Sequence, residues 1–346
     1  MRAVVFAGDG RVALREVAEP VLADPRDAIV RVSVAGICGS DLHFLHGKAP
    51  LEPGDVIGHE AAGVVVETGG GVSRFRPGDR VVTAFHVACG ECWFCVRGQT
   101  QLCDRWRMLG AGLFGGSLPG TQAELVRVPV ADVNLLPIPD DVDDERAVFV
   151  GDVLTTAFYA ASIAGIGPTS TVAIVGAGPV GFLLAQACRR LGAERVLALE
   201  REPARLALVA EAGAEPIDVT ARNAKTAVDE ATGGRGADVS IDAVGHPDAF
   251  ESAVDVVRRG GIVTVVGMYA GERVDVPLGV WWARAIDVRF AGICPVHAWW
   301  DGALAALRAG ELDPRPLVSD RLPLEGAPDG FARFEAHRAT KVLLFP

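Results

Sequence analysis

The chain is poor in lysine, tyrosine and methionine, and it has no surplus of positive charge. Lys48, Lys225 and Lys341 are the only lysines among 33 basic residues, against 44 acidic ones, and the formal net charge is -11. A partner with a phosphate backbone calls for clustered Lys and Arg on one face, so a nucleic-acid partner is not expected. The scarcity of lysine relative to arginine carries no functional reading of its own. Long apolar runs are missing too. The most apolar stretch, Val172 to Cys188, is interrupted by Gly176, Gly178, Pro179 and Gly181, so it reads as strand, turn and helix rather than a membrane span. The opening MRAVVFAGDG lacks the apolar core and small-residue cleavage site of a secretory signal, and a cytoplasmic protein without a membrane partner is expected. Seven cysteines in so long a chain fit metal ligation or buried thiols better than a disulfide framework. There is no internal repeat and no low-complexity segment.

What is present suggests two domains, since 346 residues of which half are apolar can bury more than one core. From Ala3 to about Leu136 short β-rich runs dominate, such as the alternation Val30 to Val34 and the stretch Ala61 to Glu67. The acidic stretch Asp140 to Glu145 then precedes an apolar segment, and one helix is predicted from about Asp143 through Ala164. After Pro168, strand and helix patterns alternate: Thr171 to Val175, Val180 to Leu191, Val196 to Leu199, Pro203 to Ala212, and onward to Ile262 to Val266. This is the pattern of parallel βαβ units, so the fold class is α/β with a β-rich companion domain. Past about Gly292 the alternation fades, and the tail ends in a β-like run, Lys341 to Phe345.

Two motifs carry chemistry. Cys89, Cys92, Cys95 and Cys103 stand at C-x2-C-x2-C-x7-C. Four thiolates close a tetrahedron around Zn2+ and leave no position for a substrate, so this lobe is expected to be structural. The second motif is the turn Gly176-Ala177-Gly178-Pro179-Val180-Gly181, which follows an apolar strand and opens a helix with apolar residues at helical spacing. A lone GxGxxG is weak, but Glu200 closes the next strand, where a carboxylate can accept from the hydroxyls of an adenosine ribose and repel a 2'-phosphate. Helix N-terminal N–H groups would meet the pyrophosphate. NAD is therefore expected ahead of NADP, with Arg201 and Arg205 leaving NADP open.

Cys38 in Gly36-Ile37-Cys38-Gly39-Ser40-Asp41-Leu42-His43, and His59 in Gly58-His59-Glu60, supply a thiolate and an imidazole, two donor types that zinc prefers. With these motifs in this order, the chain resembles the zinc-dependent medium-chain alcohol dehydrogenases over essentially its full length. The resemblance implies a GroES-like catalytic domain, residues 1–153 and 292–346, with a Rossmann domain, residues 154–291, inserted. It implies two zinc ions per chain. The catalytic one would be held by Cys38, His59 and a third ligand at Asp152, where most of the family has cysteine; Asp152 looks like the aspartate-ligand branch that includes formaldehyde dehydrogenase-like enzymes. Glu60 would support that shell or enter it transiently, and Asp41 would hydrogen-bond a ligating histidine.

The implied reaction is the reversible oxidation of an alcohol to an aldehyde or ketone, with hydride passing to NAD(P). Ser40 matches the hydroxyl that takes the alcohol proton, and His43 the residue that passes it to solvent. Lys341 matches a basic residue that meets the cofactor pyrophosphate. Phe85 matches a pocket position, and Ile293, Phe114 and the pairs Trp281-Trp282 and Trp299-Trp300 are further candidates, although aromatic pairs more often fill cores or interfaces. A homodimer or homotetramer is expected. Two rivals remain at this stage: a dismutase of the formaldehyde dehydrogenase kind that keeps its NAD bound, and a non-catalytic nicotinamide-binding sensor.

Overall fold

A computed structural model describes residues 1–346. They form two compact units: Met1–Thr155, Pro295–Arg308 and Val318–Pro346 in the first, and Thr156–Cys294 with Ala309–Leu317 in the second. The expectation that the whole tail returns to the first unit fails for Ala309–Leu317. Its physical reason is Gln186, whose side-chain amide donates to the Asp313 carbonyl (3.2 Å) and accepts from the Asp313 N–H (2.8 Å), holding that segment against the second unit's own helix.

The first unit is built on a sheet in the order Val318–Pro323, Lys341–Phe345, Ala28–Gly36, Glu60–Thr68, Arg80–Thr83, Leu135–Pro137, with Leu125–Val128 also paired to Ala28–Gly36. Alternating apolar residues put Val30, Val32, Val65, Val81 and Val126 into one buried cluster, as the period of two requires. Register then does the positioning. Gly36 pairs with Glu60 in the antiparallel ladder, so the chain leaving one strand at Cys38 and the chain entering the other at His59 emerge side by side.

The second unit is an all-parallel six-stranded sheet in the order Glu215–Asp218, Arg195–Glu200, Thr171–Val175, Ala237–Asp242, Val257–Val265, Asp287–Phe290. This is the doubly wound Rossmann order, in which ligands bind beyond the strand ends where the order reverses, here at Thr171–Val175 and Ala237–Asp242. Helix Pro179–Arg190 leaves the first of these strands through the glycine turn.

The single helix predicted from Asp143 to Ala164 is broken. Asp144–Ala147 is helical, Val148–Gly151 tightens to a 3-10 turn, and Val153–Ile163 resumes at an angle of 50°. Asp152 sits at the break with φ -151° and ψ -94°, far from helical values. The preceding turn is pulled onto the strand Arg80–Thr83: Gly151 accepts from the Phe85 N–H at 3.1 Å, and a side chain at Gly151 would come within 2.1 Å of the Thr83 carbonyl. No single helix is long and apolar enough to cross a bilayer.

Candidate active site

Cys38, His59, Glu60 and Asp152 each offer one donor atom, and those atoms all lie within 4.8 Å of one another in the first unit. His59 Nε2 is 3.2 Å from Asp152 Oδ2, and Cys38 Sγ is 3.7 Å from the same oxygen. His59 is turned by Asp41, whose Oδ1 lies 3.0 Å from Nδ1, with both side chains 1% exposed. The carboxylate of Asp41 is held in turn by the Cys38 N–H (3.0 Å) and the Gln122 amide (3.3 Å). An acid behind a histidine fixes the tautomer and presents Nε2 as a donor to a metal. A soft thiolate, an imidazole and carboxylates are a donor set suited to zinc.

Packing these groups together shifts their protonation. Burial pushes the Cys38 thiol up, and the charge of Asp152 adds to that. For His59, burial opposes the charged form, but the carboxylates of Asp41 and Asp152 raise its pKa well above the usual value. Protons are held where a divalent cation would displace them. Glu60 Oε1 is buried with no hydrogen-bond partner, so one carboxylate oxygen of the cluster is free to meet an ion.

Lys341, which the resemblance assigns to the cofactor pyrophosphate, is paired inside the first unit. Its amine is 1% exposed and paired with Glu60 Oε2, with the ring of Phe149 5.5 Å away. Burial works against its charge, and the carboxylate of Glu60 more than restores it. The pair closes because position 36 has no side chain: a Cβ on Gly36 would lie 1.9 Å from Glu60 Oε2.

Ser40 and His43 lie on the short helix Gly39–His43 that follows Cys38. Ser40 Oγ is 3.1 Å from His59 Nε2 and 3.3 Å from Cys38 Sγ, so its hydroxyl is at the donor cluster; His43, half-buried, ends the helix one turn on. Phe85 is buried with its ring 6.4 Å from His59, and Phe44, which the sequence did not single out, stands at 6.4 Å as well. Phe114 packs on Phe44 at 6.3 Å and is half exposed. Trp300 is buried against His297, Trp281 packs on Phe250, and Trp282 is exposed. Ile293 belongs to the second unit. Gln122 is the other residue sequence reasoning missed; it touches Asp41 from 81 residues away, and no local pattern marks it.

The four-cysteine lobe brings its sulfurs within 4.8 Å of one another. Cys89 and Cys95 Sγ are 3.9 Å apart, much too far for a disulfide. Four sulfurs at about 2.3 Å from one tetrahedral ion stand roughly 3.8 Å apart. Backbone N–H groups of Cys92 and Arg105 point at Cys89 and Cys103 Sγ (3.4 and 3.3 Å), and those of Asp104 and Cys95 pull the Cys92 thiol down to about 6. The site fits a closed zinc shell.

In the second unit the three glycines of the turn divide their tasks. Gly176 has φ +91°, which a side chain would strain. Gly181 lies so close to the turn that a Cβ would meet the Gly176 carbonyl at 2.0 Å. Gly178 needs neither concession: its φ is -65°, and a Cβ would find nothing nearer than Arg205 at 4.0 Å. The open space beside Gly178, with Pro179 and Val180 opening the helix behind it, fits a pyrophosphate at a helix N-terminus. Glu200 and Arg205 stand beside the turn, Arg205 Nη1 3.9 Å from Glu200 Oε2.

Comparison with known proteins agrees with this geometry. The alcohol dehydrogenase GroES-like domain family matches residues 24–140, and the zinc-binding dehydrogenase family matches residues 179–307. Alcohol dehydrogenase TADH from Thermus sp. ATN1 superposes with a TM-score of 0.95 and 43% identity over 100% of this chain and 99% of its own. Zinc-type alcohol dehydrogenase B of Aspergillus flavus is 35% identical over 99% of this chain and 81% of its own.

The chain belongs to the zinc-dependent medium-chain alcohol dehydrogenase family.

Its fold is a GroES-like domain combined with a Rossmann domain. A zinc-binding dehydrogenase from Sinorhizobium meliloti 1021, solved bound to NADP, shares 30% identity over 100% of this chain and 99% of its own, with a TM-score of 0.87. The dismutase branch lies further off, with formaldehyde dismutase of Pseudomonas putida at 33% identity over 92% of this chain and 89% of its own.

Proposed function

We propose that this oxidoreductase interconverts apolar, medium-sized or aromatic alcohols and their carbonyl products, with NAD as the preferred acceptor and two zinc ions per chain. The observation that carries the reading is the convergence of Cys38, His59, Glu60 and Asp152 within 4.8 Å. Cys38, His59 and Asp152 would hold the catalytic ion, and Cys89, Cys92, Cys95 and Cys103 the structural one. Zinc, when bound, supplies Lewis-acid polarisation of a substrate oxygen. The protein's own residues do the rest. Asp41 orients His59, Ser40 Oγ takes the proton from the substrate hydroxyl, and His43 passes it outward. Phe44 and Phe85 set an apolar wall beside His59, which favours a hydrocarbon group over a sugar. In the second unit the turn from Gly176 to Gly181 receives the dinucleotide, and the carboxylate of Glu200 beside it supports NAD over NADP.

Initial rates with primary, secondary and aromatic alcohols, each with NAD and NADP, test the reading. Turnover with none of them, by protein carrying two zincs, would sink it. Asp152 in place of cysteine supports one further reading, a dismutase holding its nicotinamide between turnovers; protein purified with stoichiometric cofactor would favour that. We also propose self-association. Leu278, Trp282 and Phe290 of the second unit are 74%, 83% and 71% exposed, large apolar side chains that a second copy could cover, and a monomer by light scattering would remove the proposal.

A further inference from the structure

Gln122 is fully buried in the first unit, yet its carbonyl oxygen Oε1 has no hydrogen-bond partner. Its amide nitrogen is engaged twice: Nε2 donates to the Gly36 carbonyl at 3.1 Å and to Asp41 Oδ2 at 3.3 Å. Both partners are acceptors, so only the nitrogen end of the amide can face them. An unpaired buried oxygen costs stability, and a methionine of about the same length would carry no such cost. A side chain kept for packing alone would not need to be an amide.

The segment around Gln122 is fitted to the loop that carries His59. The N–H groups of Gly120, Thr121 and Gln122 donate to the carbonyls of Val56, Gly58 and Ile57 (2.8, 2.9 and 3.0 Å), and Thr121 Oγ1 donates to the Glu60 carbonyl at 3.1 Å. Gly58, at φ +91°, leaves the space in which the amide lies: a Cβ there would meet Gln122 Cγ at 2.4 Å. Asp41 is approached from two sides. Its Oδ2 receives Gln122 Nε2 and the Cys38 N–H (3.0 Å), and its Oδ1 lies 3.0 Å from His59 Nδ1. Two donors on one oxygen set the plane of a carboxylate, and that plane decides where the other oxygen points.

We propose that Gln122 is a positioning residue for the catalytic ion: its amide fixes the carboxylate of Asp41, which in turn holds the His59 ring with Nε2 toward Asp152. The proposal rests on reading Cys38, His59 and Asp152 as a zinc site. Its consequence is that the orientation of the histidine is set by a chain of contacts, Gln122 to Asp41 to His59, rather than by one acid. Removing the amide N–H leaves every ligand in place and loosens only the group behind them.

The test is chelator competition on the zinc-loaded protein, with the four-cysteine ion as internal control. Gln122→Met removes the donor and keeps the bulk. Affinity for the ion at Cys38, His59 and Asp152 should fall about tenfold, the lower end of what a group behind a ligating histidine is worth, while the lobe keeps its ion. With Co2+ at that site, the visible ligand-field bands should shift as well; unshifted bands would assign the loss to packing and overturn the proposal. In the Asp41→Asn background the same substitution should cost less than about threefold, because its route to His59 is already altered. Full, additive loss in that background would overturn the proposal, as would wild-type affinity in Gln122→Met. Gln122→Asn is the second variant, an amide one methylene short of Asp41. It should weaken the ion as the Met variant does, and wild-type affinity there overturns the proposal too. Wild-type protein that holds a single ion, released by Cys95→Ser, would refute the zinc reading of Cys38, His59 and Asp152 and the proposal with it.

Discussion

The two thiolate-bearing clusters of the first unit differ in how they are made. Cys89, Cys92, Cys95 and Cys103 come from one short lobe, where the backbone N–H groups of Cys89 and Cys92 point at the sulfurs of Cys103 and Cys89. Cys38, His59, Glu60 and Asp152 come from two strand ends and a broken helix, and none is placed by its neighbours in sequence. One cluster is uniform, four sulfurs that suit a closed structural shell; the other is mixed, the kind of donor set that suits a reactive ion. A locally made site is robust and chemically inert, whereas an assembled site depends on the whole sheet and can react.

The sharpest way to test that contrast is to remove one thiolate from each. Cys38→Ser should lower zinc from two ions to one per chain and cut kcat/KM by more than about a thousandfold, because Lewis-acid assistance is worth several kcal/mol. Loss of activity with both ions retained would remove Cys38 from the site. Cys95→Ser should also release one ion, but its cost should appear in the thermal midpoint and in assembly. Each surviving folded molecule should turn over within about threefold of the parent, since a structural site contributes to folding rather than to chemistry. Equal loss of turnover in both variants would erase the distinction.

Smaller changes probe the supports of each cluster. Asp41→Asn keeps the ligands and alters only the group behind His59, so affinity for the catalytic ion should fall about 10- to 100-fold in competition with a chelator, with the four-cysteine ion unaffected. The lobe has a support of its own: Asn134 accepts from the Ala88 N–H (2.9 Å) and from His297 (2.8 Å), and Thr100 lies on the other ring nitrogen at 3.0 Å. Burial of the ring, with His86 beside it, lowers the pKa of His297 well below its usual value. The unfolded chain therefore binds a proton that the folded one refuses. Stability contributed by His297 is present above about pH 6.5 and is lost at about 1.4 kcal/mol per pH unit below it, down to the folded-state pKa. Urea titrations at stepped pH should show that slope, and His297→Gln should flatten it; an unchanged slope would put the acid sensitivity elsewhere.

The contrast also explains what could be read from the sequence. The lobe and the glycine turn were legible because each is local: spacing shows four thiols within one loop, and three glycines between a strand and a helix. Cys38 and His59 were legible as donor types, but Asp152 was reached only through resemblance, since nothing around it announces a break in an apolar helical stretch. The break comes from the contact of Gly151 with the strand Arg80–Thr83, which is tertiary. Lys341 was placed at the cofactor only through resemblance, and nothing local in the sequence announces that it is buried. Its actual partner, Glu60, lies 281 residues away and was set by strand pairing. Gln122 carries no signal at all.

The Glu60–Lys341 pair also bears on timing. A chain emerging from the ribosome N-terminus first presents Cys38, His59 and Glu60 early, and the strand holding Lys341 only after 281 further residues. Until that strand joins Ala28–Gly36, Glu60 lacks its counter-charge, and the sheet that aligns the donors lacks one of its central members. Closure over so long a separation is slow compared with bringing the four cysteines together, whose contacts with one another span at most fourteen residues. The four sulfurs of the lobe can therefore gather before the charge of Glu60 is paired.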